Sequence, residues 1–186
     1  MSFCEIIEKT DYAVLMLIRD NLQSAIGGRF FVCVSQAGNS AMIWMISAFI
    51  FLFFKKTRPA ALMVAVVYIF ELIIVEVILK DIVERPRPFA AYGFDLLIQP
   101  PPSFSFPSGH AASSFSSAVI FYHFIGRKAY PFIAAAFLIS FSRIYLMVHY
   151  PSDVIAGALL GILTAFCAVR IYERLVVPSG KKSKTD

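Results

Sequence analysis

The sequence predicts an all-α integral membrane helix bundle of about five transmembrane helices behind an N-terminal interfacial helix, with six spans as the upper count. Three observations predict it. Of 186 residues, 59% are hydrophobic and the mean hydropathy is +0.73, more apolar surface than a soluble core of this length can hide. The apolar residues fall in runs close to the ~20 needed to cross ~30 Å of hydrocarbon. Polar residues gather in short islands where those runs begin or end.

The runs lie at residues 37–54, 60–79, 109–126, 129–148 and 153–172. Residues 3–22 differ. Their uncharged core, 12–18, is too short to span and is flanked by Glu5, Glu8, Lys9, Asp11, Arg19 and Asp20, the pattern of an amphipathic helix lying in the interface. Gly27 and Gly28 break the pattern before residues 30–34, which read either as a second interfacial segment or as the start of a tilted first span. The chain therefore divides into an interfacial segment (1–36), a transmembrane domain (37–174) and a basic tail (175–186). Cys4, Cys33 and Cys167 show no C-x-x-C spacing, which suggests neither a disulfide framework nor a zinc site.

Basic residues at the span ends set the expected orientation. Lys55, Lys56 and Arg58, then Arg127 and Lys128, then Arg174, Lys181, Lys182 and Lys184 fall on one side, expected to be cytoplasmic. The polar islands fall on the other, with Asp81, Glu84 and Asp95 against Arg85 outside them. The N-terminal apolar core is flanked by acids and lacks a small-residue cleavage site, so the first span is expected to direct insertion.

Three islands carry chemistry. The first joins Lys80 to Arg87-Pro88, where Pro86 and Pro88 stop a helix and turn the chain back. Arg87 offers a planar fork to phosphate oxygens and Lys80 a mobile point charge. Taken alone, Lys80 and Arg85 read as snorkelling cations. The second, Pro107-Ser108-Gly109-His110, opens a span. There Ser108 suits an N-cap, free amides and the helix dipole favour an anion, and Gly109 allows close backbone approach. The third runs Ser142-Arg143, His149, Asp153. Arg143 and His149 are six residues apart, about 9 Å along an ideal helix and on different faces. Pro151 is expected to end that helix after His149, and Ser152 or Asp153 to cap the next. Charged groups this close to a membrane are costly without a function.

In order and spacing the three islands resemble the signature of the phosphatidic acid phosphatase type 2 superfamily, over residues 37–172 and without a substitution in any block. The resemblance implies a membrane lipid phosphatase in which His149 attacks phosphorus, Asp153 holds its other ring nitrogen, and His110 protonates the leaving oxygen. Lys80, Arg87, Ser108, Gly109 and Arg143 would bind the phosphate. No acidic cluster of the kind that holds a magnesium pair is present, so metal-independent turnover without a cofactor is expected. The expected partners are a lipid phosphate or diphosphate and membrane lipids, with no nucleic acid. An outward-facing site in a bacterial plasma membrane makes undecaprenyl pyrophosphate the leading substrate, with phosphatidylglycerophosphate or phosphatidate as rivals and a non-enzymatic scaffold or transporter as the remote reading.

Two intramembrane acids lie outside the islands. Glu76 precedes Lys80 by one turn and suits an ion pair with it, while the deeper Glu71 suits an interhelical hydrogen bond. The apolar loop 89–106 reads as membrane-surface chain beside the site or as a seal over the bundle.

Overall fold

The computed structural model describes residues 2–176, and the tail lysines Lys181, Lys182 and Lys184 lie outside the described residues. Helix α1, Phe3–Asn21, opens with Glu5 accepting the Ser2 amide at 3.1 Å. It buries Leu15 and Ile18 against Tyr145 and Val148. Helix α2, Ala25–Ala37, starts at Ser24, whose hydroxyl accepts the Gly27 amide at 3.1 Å. It ends at Gly38, beyond which Ser40 and Ala41 take φ of 48° and 54°. Helix α3, Met42–Leu52, follows.

The apolar run 37–54 is therefore not one helix. Helix α3 has 11 residues, about 16 Å of rise, too short to cross alone. It continues α2 through a 54° bend. The weak helix propensity of Gly38, Asn39 and Ser40 interrupts the run there, and the left-handed conformations fall on Ser40 and Ala41.

Helix α4, Arg58–Glu71, passes into a π-helical stretch, Leu72–Leu79, and then α5, Lys80–Val83. Glu84 ends it in the left-handed region, and the proline pair carries the chain into α6, Pro88–Tyr92. A loop returns across this end to α7, Gly109–Ile125. Gly126, at φ 56°, turns the chain into α8, Tyr130–Tyr145. Ring pairs Tyr122–Tyr130, Phe121–Phe132 and Phe115–Phe137 set α7 and α8 antiparallel. Helix α9, Pro151–Val176, packs along α7. Pro151 starts α9, where its fixed φ and missing donor fit a first turn. The preceding helix stops six residues earlier than that proline, at Tyr145.

A G-x-x-x-G step closes the α7–α9 contact. A Cβ on Gly157 would stand 2.3 Å from Ser108 O, and one on Gly161 2.2 Å from Ala112 O. Only hydrogen fits there, so the backbones meet directly. The deeper core lies among α3, α4, α7 and α8, around Trp44, Ile120 and Phe121. Outward side chains are apolar too: Phe49, Val66, Phe137 and Leu163 are each 59–66% exposed.

Among the described residues three stretches, Arg58–Tyr92, Gly109–Tyr145 and Pro151–Leu175, are long and apolar enough to cross a membrane, and the bent α2–α3 pair adds a fourth when counted as one span. The Gly126 turn folds the second of these into two arms. With lipid-compatible surface on the outside, the chain is an integral membrane protein. Lys55 and Arg58 share a groove with Tyr172 and Leu175, and Arg127 shares another with Arg170, so these basic span ends gather at one end of the bundle. The three motif islands gather at the opposite end.

Candidate active site

The third island folds as a tight turn between α8 and α9. The amides of Val148 and His149 both donate to the Arg143 carbonyl at 3.2 Å, and Met147 takes φ 57°. This turn cancels the offset that a continuous helix would impose and brings His149 back over Arg143. Asp153, in the first turn of α9, reaches back to the Tyr150 amide at 2.9 Å through Oδ2. The same oxygen lies 3.5 Å from His149 Nδ1 and accepts the Ser105 hydroxyl at 2.5 Å.

His149 Nε2 lies 3.1 Å from Arg87 Nη1. A guanidinium can only donate, so Nε2 presents a lone pair and Nδ1 carries the proton toward Asp153. Burial pushes the imidazole well down, to about 3, against the opposing pull of Asp153. The ring is neutral at pH 7, with Nε2 as its basic atom.

Arg87 is held by three acceptors besides the histidine. Its Nε donates to the Ser103 carbonyl at 2.7 Å, Nη1 to the Val148 carbonyl at 2.9 Å, and Nη2 to Ser103 Oγ at 3.3 Å. Lys80 meets both oxygens of Glu76 at 2.7 Å and Ser103 Oγ at 2.9 Å. The ion pair one helical turn apart thus links the π-helical stretch to the start of α5. Arg143 donates through Nη1 to Ser35 Oγ on α2, while its Nε is buried with no hydrogen-bond partner among the described residues. Lys80, Arg87 and Arg143 are 2–5% exposed and within electrostatic reach of one another. Glu76 faces all three, and Asp153, which also pairs with Arg85, faces Arg87. Buried cations that outnumber the carboxylates facing them make a site that favours an anion.

The second island adds a helix start. Ser108 caps α7, its Oγ accepting the Ala111 amide at 3.5 Å, and its own amide donates to the Asp153 carbonyl at 3.0 Å. The amides of Gly109 and His110 precede the first intrahelical bond, from Ala112 to Ser108. A Cβ on Gly109 would lie 2.6 Å from Glu76 Oε1, so glycine lets the ion pair sit against the helix start.

His110 stands apart from the Arg87–His149 contact. Its Nε2 meets Asn39 Oδ1 at 3.0 Å, and the Ser35 backbone supplies a second hydrogen bond. The ring lies within electrostatic reach of Arg143, His149 and Lys80. With Gly109 and Glu76 it lines a cleft of about 180 Å³ that extends past Val75 and Leu72 to Tyr68 and Glu71. Glu71 is buried there, accepting hydroxyls of Ser116 at 3.0 Å and Thr164 at 2.7 Å.

Several residues of this constellation were not legible as site residues. Ser103 and Ser105 alternate with Phe104 and Phe106, and that two-residue period was the available signal. Ser105 is buried and Ser103 Oγ meets Lys80 and Arg87, while Phe104 is exposed. Ser35 and Asn39 sit at the α2 break, which sequence reasoning placed at a span boundary. Arg85 bridges Asp11 at 2.7 Å and Asp153 at 2.6 Å and is no free snorkelling cation.

A membrane-embedded helix bundle with a buried histidine–carboxylate pair set among cations is the class that fold and site define. Residues 59–176 match the family model of the PAP2 superfamily, and the chain belongs to that superfamily. An undecaprenyl-diphosphatase of Sulfolobus acidocaldarius is 34% identical over 131 residues, covering 69% of this chain and 63% of that protein. The chain thus spans less than two thirds of that relative's length. The transmembrane PAP2 type phosphatidylglycerolphosphate phosphatase of Bacillus subtilis superposes with a TM-score of 0.76 at 24% identity, covering 91% of this chain and 88% of that one. LpxE of Aquifex aeolicus gives 0.74 at 26%, covering 86% and 94%.

Proposed function

We propose that the protein is a metal-independent lipid phosphatase that works through a phosphohistidine, with undecaprenyl pyrophosphate as the leading substrate and the site on the extracytoplasmic side. The observation that carries the reading is the pair of buried cations beside His149, Arg87 at its Nε2 and Arg143 within electrostatic reach, with Arg143 Nε unpartnered among the described residues. A phosphate that enters there meets donors already fixed in place, which is where most catalysis of phosphoryl transfer resides.

In the first step His149 Nε2 attacks the terminal phosphorus, a P–N bond forms, and the bridging P–O bond breaks, so that undecaprenyl phosphate leaves from the diphosphate, or the lipid alcohol from a monoester. His110 gives a proton to the departing oxygen, and Asp153 offsets the positive charge that develops on the His149 ring. In the second step His110 takes a proton from water, whose oxygen attacks phosphorus. The P–N bond breaks, inorganic phosphate leaves, and both histidines are restored. Lys80, Arg87, Arg143 and the Gly109–His110 amides hold the non-bridging oxygens throughout. Among the described residues no group of three or more His, Cys, Asp or Glu is placed to hold a metal ion.

The sulfolobus relative's name supports a diphosphate substrate, and the Bacillus fold neighbour's description supports phosphatidylglycerophosphate as the rival. A panel of undecaprenyl pyrophosphate, phosphatidylglycerophosphate, phosphatidate and a soluble sugar phosphate, run in detergent with and without chelator, tests it. The expected result is phosphate release that chelator leaves intact and that is fastest with undecaprenyl pyrophosphate. Activity abolished by chelation and restored by magnesium would overturn the metal-free site, and a faster glycerolipid would replace the substrate.

A further inference from the structure

We infer that Asp11, on the N-terminal helix and outside the matched family region, is a positioning residue for His149, acting through Arg85 and Ser152 on Asp153. The inference rests on the roles proposed above for His149 and Asp153.

The starting point is burial. Glu5, Glu8, Arg19 and Asp20 on α1 are exposed, whereas Asp11 is 2% exposed. It lies on the face of α1 that also buries Leu15 and Ile18. A carboxylate on an apolar stripe is costly unless each oxygen is satisfied and a counter-charge is near. Asp11 has both. Its Oδ1 accepts the Ser152 amide at 2.9 Å, and its Oδ2 accepts the Ser152 hydroxyl at 2.5 Å and Arg85 Nη2 at 2.7 Å. Ser152 is in the first turn of α9, so Asp11 supplies from another helix a cap for a free amide of α9.

The second link is Arg85. Its Nη1 donates to Asp153 Oδ1 at 2.6 Å and to Ser152 Oγ at 2.8 Å, and its guanidinium lies 3.9 Å from the centre of the Tyr150 ring. Arg85 is therefore clamped between two carboxylates. It takes only Oδ1 of Asp153 and leaves Oδ2 facing His149 Nδ1. Asp11 balances the Arg85 charge and fixes its fork. Without that balance the cation turns wholly to Asp153, withdraws carboxylate charge from the imidazole, and loses the anchor that keeps the two oxygens apart. Among the described residues no hydrogen bond or ion pair joins Asp11 to Lys80, Arg87 or Arg143, so phosphate binding is expected to be retained.

The test uses the full chain in detergent. Asp11→Asn keeps a carbonyl oxygen for the Ser152 amide and removes the charge. Its kcat is expected to fall about tenfold, by analogy with the loss of an outer partner that orients a metal-bound histidine. KM is expected to stay within about twofold, because the loss acts on the transition state. Asp11→Glu, which keeps the charge, should recover most of the rate. Imidazole ¹⁵N spectra, with His149 assigned by its loss in His149→Gln, should show one Nδ1–H tautomer in the unmodified protein and a mixture or shifted resonances in Asp11→Asn. An unchanged kcat, or a lower kcat and melting temperature with the His149 resonances unmoved, would overturn the inference. The spectra read Asp11 without turnover. If the unmodified protein releases no phosphate from any lipid, the proposed function fails by itself.

Discussion

Arg87 Nη1 lies 3.1 Å from His149 Nε2, so the guanidinium proposed to bind phosphate also donates to the lone pair proposed to attack it. Two requirements meet in one side chain. Arg87 is held in turn by the Ser103 and Val148 carbonyls, which makes its position independent of substrate.

Replacement of Arg87 should therefore cost more than one phosphate contact. Arg87→Lys is expected to lower kcat/KM by about 10² to 10³, the range for loss of a preorganised donor. Steady-state kinetics on the best lipid of the panel check this. A defect confined to KM would mean that Arg87 binds phosphate without ordering His149.

The turn residue His149 also predicts a pH dependence of stability. In the unfolded chain its imidazole takes a proton near 6.5, whereas burial depresses the folded value to about 3. Unfolding therefore takes up a proton between those values, and stability contributed by the neutral ring is present above about 6.5 and lost as pH falls toward 3. The melting temperature in detergent should drop more steeply between pH 6.5 and 4 for the unmodified protein than for His149→Gln. Equal slopes would place the cause elsewhere.

The α7–α9 contact gives a packing prediction. Gly161→Ala puts a methyl against Ala112 O, where the Cβ would lie 2.2 Å away. The helices must separate, at a cost of about 1–3 kcal/mol. Gly157→Ala strikes Ser108 O at 2.3 Å, so it should lower activity as well as melting temperature. Thermal unfolding and phosphate release on both variants separate the two effects.

The fold class and the motif islands were legible because they rest on long apolar runs and on residue types that a membrane tolerates only for a purpose. The N-cap at Ser108 and the Glu76–Lys80 pair were legible from spacing alone. The break at Gly38-Asn39-Ser40 was not, because apolar residues continue on both sides and the hydropathy signal averages across it. The α8 end was misplaced because Pro151 reads equally as a helix stop and a helix start. The partners Ser35, Ser103 and Ser105 were hidden for a different reason. A small hydroxyl carries little sequence signal, and only tertiary contact reveals which one faces an arginine.

Orientation is testable by labelling. Cys4, Cys33 and Cys167 are exposed and must first be replaced. Single cysteines from Asp95→Cys, at the motif end, and Lys56→Cys, at the basic end, should then label oppositely with an impermeant reagent. Labelling at 95 in intact cells and none at 56 is expected, from the basic residues gathered at the other end. The reverse pattern would put the site in the cytoplasm.

In the proposed mechanism His110 and His149 take different roles, and leaving-group chemistry separates them. His110→Ala should slow a lipid substrate strongly and an activated aryl phosphate much less, since the aryl oxygen needs little protonation. Equal losses on both substrates would remove His110 as the proton donor.

The covalent intermediate tests the account most directly. Substrate labelled in the transferred phosphoryl group, mixed with protein and quenched under conditions that preserve phosphohistidine, should leave label on the unmodified chain at His149. His110→Ala should retain that label, and His149→Ala should show neither label nor turnover. Label that persists in His149→Ala and vanishes in His110→Ala would contradict the assignment of His149 as the nucleophile.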